Sequence, residues 1–303
     1  MLTLADVVEG LTGVRPSALA RRPTEVVVDS RLVSQDGVFV ALPGERADGH
    51  DYVADALRRG AAMALVARPV EAAAPVVDLT ASPPALPEAW TLPVLLKVPN
   101  PLGALQRLAA FWRRRHSPRV IGITGSVGKT TTKELIADVL ARRYRTLKSE
   151  KSYNNEIGLP LTLLRLTPDT ERVVLEMGMY DVGEIAHLAE IAWPHVGVVT
   201  IIGPVHLERL GSMERIVQAK TELVQALPPA PEGVAILNYD DPNVLGMRAA
   251  TKARIFTYGL SPEADLWADG IEGLGLEGVR FRLHYRGETL HVRIPLLGRH
   301  SVH

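Results

Sequence analysis

The amino-acid sequence predicts an α/β protein of two domains, the second built on a mostly parallel sheet with a short antiparallel extension. Three observations lead there. From residue 119 onward strand-like and helix-like segments alternate, the pattern of a parallel sheet covered on both faces. Within that run "VIGITGSVGKTTTKELI" (120–136) passes from a β-branched strand through glycines into a helical pattern. The length of 303 residues, with 47% hydrophobic and 22% charged, suits about two domains with ordinary cores.

Residues 1–98 read as the first domain. "EVVVDS" and "GVFVAL" are strands, and "HDYVADALRRGA" spaces its apolar residues as a helix before the strand "MALV". The Pro- and Ala-rich run "RPVEAAAPVVDLTASPPALPEAWTLP" holds one short strand and loops. "VLLKV" closes the domain and "PNP" at 99–101 punctuates it. The second domain takes 99–303, entered by a helix over 102–115. Its strands are "RVIGIT", "RTLK", "RVVLEMG", "HVGVVTII", "GVAILN" and "RIFTYG". The helices between them are "KTTTKELIADVLARR", "IGLPLTLLRL", "VGEIAHLAEI", "SMERIVQAKTELVQAL" and "DPNVLGMRAA". After 260, "GVRFRLHY" and "LHVRIPL" alternate as antiparallel strands.

Composition excludes several classes. Basic and acidic residues number 34 each, so the formal net charge is zero, which argues against nucleic-acid or membrane-surface binding. With no cysteine there is no disulfide framework, thiolate metal site or Cys nucleophile. The N-terminus "MLTLADVVEG" has no basic segment before an apolar run, and no stretch approaches about 18 continuous apolar residues. A cytoplasmic monomer is expected. Lysines number only seven against 27 arginines, and four of the seven fall between 129 and 151. A retained lysine hints at a need for a compact ammonium or a titratable amine, against the alternative of chance clustering.

The glycine stretch does not meet the strict formula G-x-x-x-x-G-K-[ST], because Ile123 stands five residues before Gly128 and the glycines fall at 122 and 125. Gly125 and Gly128 nevertheless allow backbone angles that turn successive N–H groups inward as an anion nest. Gly125, Ser126, Val127, Gly128, Lys129, Thr130 and Thr131 then open a helix whose positive end favours phosphate. Lys129 brings a point charge and the Thr130 hydroxyl can ligate Mg2+. A glycine turn without a ligand is the competing reading.

Three further residues are candidates by position. Glu176 ends the strand "VVLE", at the carboxyl edge where ligands of open parallel sheets collect, and could hold Mg2+ or be an ordinary strand-end acid. His206 follows the strand "VGVVTII" in "GPVHLERLG", though a lone loop histidine is more often a surface residue. Lys220 sits in a helix capped by Ser212, where a lysine is usually solvated. A GTPase would need Asn-Lys-x-Asp, which "NYDD" at 238–241 is not; a small-molecule kinase stays open on the loop alone.

These segments together resemble the Mur ligase family, whose ATP loop follows Thr-Gly-x-x-Gly-Lys-Thr. "SYNNEIGLPLTLL" (152–164), "LEMGM" with "GEI" (175–185), "GPVHLERLGS" (203–212), "AKTEL" (219–223) and "LNYDD" (237–241) continue the match in order. "DSR" (29–31) and "DGVFVALPGERADGHDYVADALRRGA" (36–61) resemble the family's UDP-sugar domain. Asn-Asn-Glu-Ile-Gly-Leu-Pro and Glu-Met-Gly point to the member that adds D-Ala-D-Ala to UDP-N-acetylmuramoyl-tripeptide with ATP, through an acyl phosphate.

The resemblance implies that Gly125, Gly128, Lys129 and Thr130 bind the ATP phosphates, with Asn238 at the adenine. Thr130 and Glu176 would hold one Mg2+. His206 and Lys220 would serve a second, Lys220 as a carbamate, which an arginine could not form. Ser30, Arg31, Gly44, Glu45, Arg46 and Ala47 would contact the UDP moiety, and Asn154 and Asn155 would orient the substrate. Two departures stand out: Ile201 and Ser301 occupy positions where the family usually has Asn. The family's third domain begins at the motif that reads "GRHSVH" here, so that domain is expected to lie outside this sequence and this chain alone to turn over poorly. A non-catalytic Mur-like binding subunit, or a relative adding another amino acid, are the rival readings.

Overall fold

A computed structural model describes residues 1–19, 22–44, 47–150, 153–204 and 211–295. The chain divides into two compact units: Met1–Pro118 with Tyr144–Glu171, and Arg119–Arg143 with the described residues from Arg172 on. The sequence pattern places the boundary at 98, before α3, whereas the first compact unit runs on through Pro118.

The first unit contains α1 (Leu4–Thr12), β1 (Val26–Val27), β2 (Gly37–Val40), α2 (Val53–Arg58), β3 (Ala61–Val66), β4 (Val76–Asp78), β5 (Val94–Lys97) and α3 (Pro101–Arg114). Its returning segment adds β7 (Thr146–Lys148) and α5 (Gly158–Leu163). Strands pair in the order β1-β2-β3-β5-β4, all parallel. Every residue of β3, "AAMALV", is buried, as a strand covered on both faces requires. Phe39, Ala64 and Leu95 from the sheet pack with Val53 and Ala56 of α2.

Helix α1 was not anticipated. A capping box starts it: the Asp6 N–H donates to Thr3 Oγ1 (3.2 Å) and the Thr3 N–H donates to Asp6 Oδ2 (2.8 Å). The segment 144–171 returns to this unit because α3 holds it. The Trp112 indole N–H donates to the Leu166 carbonyl (3.0 Å) and the Gln106 amide to that of Glu156 (3.1 Å).

In the second unit the strands are β6 (Arg119–Thr124), β8 (Arg172–Glu176), β9 (Val196–Val199), β10 (Val234–Asn238), β11 (Arg254–Gly259), β12 (Leu266–Gly273), β13 (Val279–Tyr285) and β14 (Glu288–Ile294). The helices are α4 (Lys129–Ala141), α6 (Glu184–Ala192), α7 (Met213–Gln225) and α8 (Pro242–Gly246). These eight strands run in the order β14-β13-β12-β11-β10-β9-β6-β8 in a nine-stranded sheet that β7 completes beside β8. Pairing is parallel from β8 to β12 and antiparallel from β12 to β14, which is the predicted extension. Strand β12 is one that the sequence pattern does not predict.

Strand β6 lies between β8 and β9, so the chain leaves it in one direction and later returns on its other side. That is a topological switch point, and the crevice at its carboxyl end is where ligands bind in open α/β sheets. Helix α7 lies tight against this place because two strand residues lack side chains. A Cβ on Gly122 would stand 2.9 Å from Leu223 Cδ1, and one on Gly197 3.2 Å from Leu223 Cγ. No helix among the described residues is long and apolar enough to cross a membrane. Gly122→Val should therefore overpack the sheet against α7 and cost about 1–3 kcal/mol. Chemical denaturation of both proteins checks this; an unchanged midpoint and slope would show that the helix yields freely.

Candidate active site

The glycine loop joins β6 to α4 at the switch point. Gly125 has φ +145° and Gly128 φ +87°, both in the region that side chains resist. At Gly125 space is also lacking, since a Cβ would stand 1.9 Å from Thr200 Oγ1. Gly128 is the residue before α4, so the first N–H groups of that helix face the loop.

Side chains meet the loop from three directions. Lys129 Nζ donates to the carbonyls of Gly125 (2.9 Å) and Ser126 (3.3 Å). Lys220 Nζ, from α7, donates to the same Gly125 carbonyl at 2.9 Å. The Thr130 hydroxyl donates to Glu176 Oε2 at 2.8 Å. Glu176 and Lys220 are each only 2% exposed. Burial, and then the charge of Lys129, pushes the Lys220 ammonium down to about 7. Burial also lowers Lys129, against the opposing pull of Glu176.

The segment after β9 straps the loop down. The Ser126 N–H donates to the Ile201 carbonyl (2.6 Å), while the Ser126 hydroxyl donates to the Gly203 carbonyl (3.0 Å) and accepts from the Gly203 N–H (2.9 Å). Ile201 thus meets the loop through its backbone, which an isoleucine supplies as well as an asparagine. The Ile202 N–H donates to Asp241 Oδ2 (2.7 Å), and Asp241 also caps α8. Asn238, buried at the end of β10, accepts from the Asp240 N–H through Oδ1 at 3.0 Å. On the far side of α7, Glu222 accepts from the N–H groups of Gly183 (2.6 Å) and Ala186 (2.9 Å), capping α6 after the Glu176 turn.

Gly125, Ser126, Gly128, Lys129, Thr130, Glu176 and Lys220 are therefore brought together in one unit. Val127 stands exposed on the same loop and Thr131 in the first turn of α4. His206, Glu45 and Arg46 lie outside the described residues. Among those described, no group of three His, Cys, Asp or Glu side chains could hold a metal. The oxygens of Thr130 and Glu176 are nevertheless the hard donors that Mg2+ takes, and the buried Glu176 charge suits a cation.

The candidates in the first unit are more dispersed. The Ser30 hydroxyl donates to Asp55 Oδ2 (3.0 Å), and Arg31 pairs with Asp29 (2.6 Å) at the surface. The Gly44 N–H donates to the Ala47 carbonyl (3.1 Å). Asn155 Oδ1 accepts from the N–H groups of Ile157 (3.2 Å) and Gly158 (2.9 Å) at the start of α5, with Asn154 beside it in sequence. A cavity of about 530 Å3 lies nearby, with Asp29, Leu32, Tyr153 and Arg165 in its wall. Sequence reasoning missed Thr200 and Gly203. Their signal, a polar residue and a glycine just past a buried strand, is weak by itself.

Two outcomes follow from this geometry. Gly125→Ala should cut nucleotide affinity by roughly a hundredfold or more, since both the angle and the Thr200 contact oppose a side chain. Calorimetric titration with ADP checks it, and wild-type affinity would refute the loop geometry. Lys220 should titrate near 7, seen by NMR of 13C-labelled lysine. As a base whose folded pKa lies below its ordinary 10.5, it should make stability rise with pH between about 7 and 10.5. A midpoint above about 9.5 would contradict its burial as an ammonium.

Residues 123–303 match the Mur ligase middle domain and residues 23–113 the Mur ligase family catalytic domain. The chain is 40% identical to the UDP-N-acetylmuramoyl-tripeptide–D-alanyl-D-alanine ligase of Mycobacterium tuberculosis H37Rv, over 99% of this chain and 60% of that protein. It is 38% identical to the Bacillus subtilis ligase of the same name, over 91% of this chain and 55% of that protein. Among solved structures it is similar to MurF from Acinetobacter baumannii, with TM-score 0.82 and 31% identity, covering 98% of this chain and 62% of that one. MurF from Thermotoga maritima in complex with ADP follows at TM-score 0.74 and 28% identity, covering 94% and 58%. The chain thus spans about 60% of the length of the curated relatives it matches. With family models matched over both halves and relatives 40% identical over 99% of its length, the chain belongs to the Mur ligase family.

Proposed function

We propose that this chain works in the ATP-dependent joining of D-Ala-D-Ala to UDP-N-acetylmuramoyl-tripeptide, a step of peptidoglycan precursor synthesis. The observation that carries the reading is the convergence of the glycine loop, Lys129, Thr130, Glu176 and the buried Lys220 at the switch point. The names of relatives about 40% identical over 99% of the chain support the choice of substrates.

In this reading the second unit binds ATP. N–H groups of 125–131 and the Lys129 ammonium cradle the phosphates, and the Asn238 amide meets the adenine. Thr130 and Glu176 would hold a Mg2+, with His206 and a carbamylated Lys220 at a second; such ions neutralise charge on the phosphoryl group in transfer. The first unit binds the UDP-tripeptide. Arg31 serves the diphosphate, Ser30 and residues 44–47 the rest of the UDP moiety, and Asn154 and Asn155 the peptide. Because Asn155 Oδ1 is engaged in capping α5, its NH2 group is the one that would donate to a peptide carbonyl.

A tripeptide carboxylate oxygen then attacks the γ-phosphorus and ADP leaves. The dipeptide amine attacks the acyl phosphate carbon, loses its proton, and phosphate departs as the amide forms. The residues contribute alignment and positive charge, which is what both steps need.

In a chain of the relatives' full length, phosphate release should require both UDP-tripeptide and D-Ala-D-Ala. Release with meso-diaminopimelate or lysine and a UDP-dipeptide would move the protein to another ligase of the family, and phosphate retained on the substrate would make it a kinase. Lys129→Ala should lower the rate by about a hundredfold or more, the scale of losing one transition-state donor. Near-normal turnover in that variant would remove the loop from the mechanism.

A further inference from the structure

We infer that Thr200 is a positioning residue of the phosphate loop, its hydroxyl holding the Val127–Gly128 peptide so that the Gly128 N–H faces the anion. The inference rests on the nucleotide-binding reading of that loop. In a trans peptide the C=O and the following N–H point in opposite directions, so a partner that fixes one aims the other. Each carbonyl from Gly125 to Val127 has such a partner. The Gly125 and Ser126 carbonyls accept from Lys129, and Gly125 also from Lys220. The Val127 carbonyl accepts from Thr200 Oγ1 at 2.6 Å.

The lysine contacts involve groups that a polyanion would draw away. The Thr200 contact involves an uncharged, buried hydroxyl, so it can persist with the site filled. Thr200 is itself well held. Its N–H donates to the Thr124 carbonyl (3.0 Å), and the half-buried Tyr258 hydroxyl donates to its carbonyl (3.3 Å). The same Oγ1 occupies the space that a side chain on Gly125 would need, at 1.9 Å. One hydroxyl therefore both shapes the turn and requires the glycine.

The test compares Thr200→Val, which keeps the shape and removes the hydroxyl, with Thr200→Ser, which keeps the hydroxyl. Two readouts are used: ADP affinity by calorimetry with Mg2+, and amide hydrogen exchange of the 120–132 peptide without nucleotide. Thr200→Val should weaken ADP about tenfold and speed exchange in the loop by a similar factor, the scale of one hydrogen bond. Its melting temperature and its affinity for the UDP-tripeptide should stay near wild type. Thr200→Ser should stay within about twofold of wild type in both readouts. Unchanged affinity and exchange in Thr200→Val would overturn the inference, as would a serine variant as impaired as the valine one. Parallel loss of melting temperature and UDP-tripeptide binding would reduce Thr200 to a structural role and overturn it too. If wild type fails to bind ADP while exchange follows the expected pattern, the nucleotide reading falls and the positioning role stands.

Discussion

The carbonyl oxygen of Gly125 accepts from two ammonium groups, each at 2.9 Å, and much of the second unit is arranged to make that possible. Two like charges at one acceptor repel strongly where water is scarce. The repulsion is tolerable because loop carbonyls and the buried Glu176 carboxylate lie beside them, and because Lys220 can give up its proton near neutrality. Bringing Lys220 there requires α7 close to the sheet, hence glycine at 122 and 197. The chain has no net charge overall, and at this strand end two amines and one carboxylate meet.

The same helix works on two faces. Lys220 reaches the loop, and Glu222 reaches the N-terminus of α6, which follows the turn after Glu176. Strands β6 and β8 supply the loop and the carboxylate side by side, because they pair in register from Arg119–Arg172 to Ile123–Glu176. Sheet topology therefore sets the Thr130–Glu176 separation, and α7 adds the amine. Chemistry that needs an anion nest, an acid and a tunable amine can be placed on such a frame with few long-range contacts.

Much of this was legible in the sequence. Gly125, Gly128 and Lys129 announced a loop because backbone freedom and charge are local properties. Alternating strands and helices announced a parallel sheet because burial on both faces leaves runs such as "VVLE". What was not legible was non-local or masked by apolar context. The return of 144–171 to the first unit depends on Trp112 and Gln106 reaching carbonyls about fifty residues away. Thr200 looked like the tail of an apolar strand. Strand β12, "LWADGIEG", carries glycines and acids that speak against a strand, and pairing on both sides overrides them. Helix α1 had a readable signature in Thr3 and Asp6, hidden within a segment weighed only as a possible leader.

The Ser126 hydroxyl gives to and takes from the same residue, Gly203, while its N–H binds the neighbouring Ile201. A loop fastened in this reciprocal way is ordered before any ligand arrives. The entropy lost in shaping the anion site is then charged to folding and not to capture, which leaves more of the contact energy available for affinity. Rigidity at Ser126 is thus a form of readiness, and its value would be felt in how little the loop must rearrange when an anion enters.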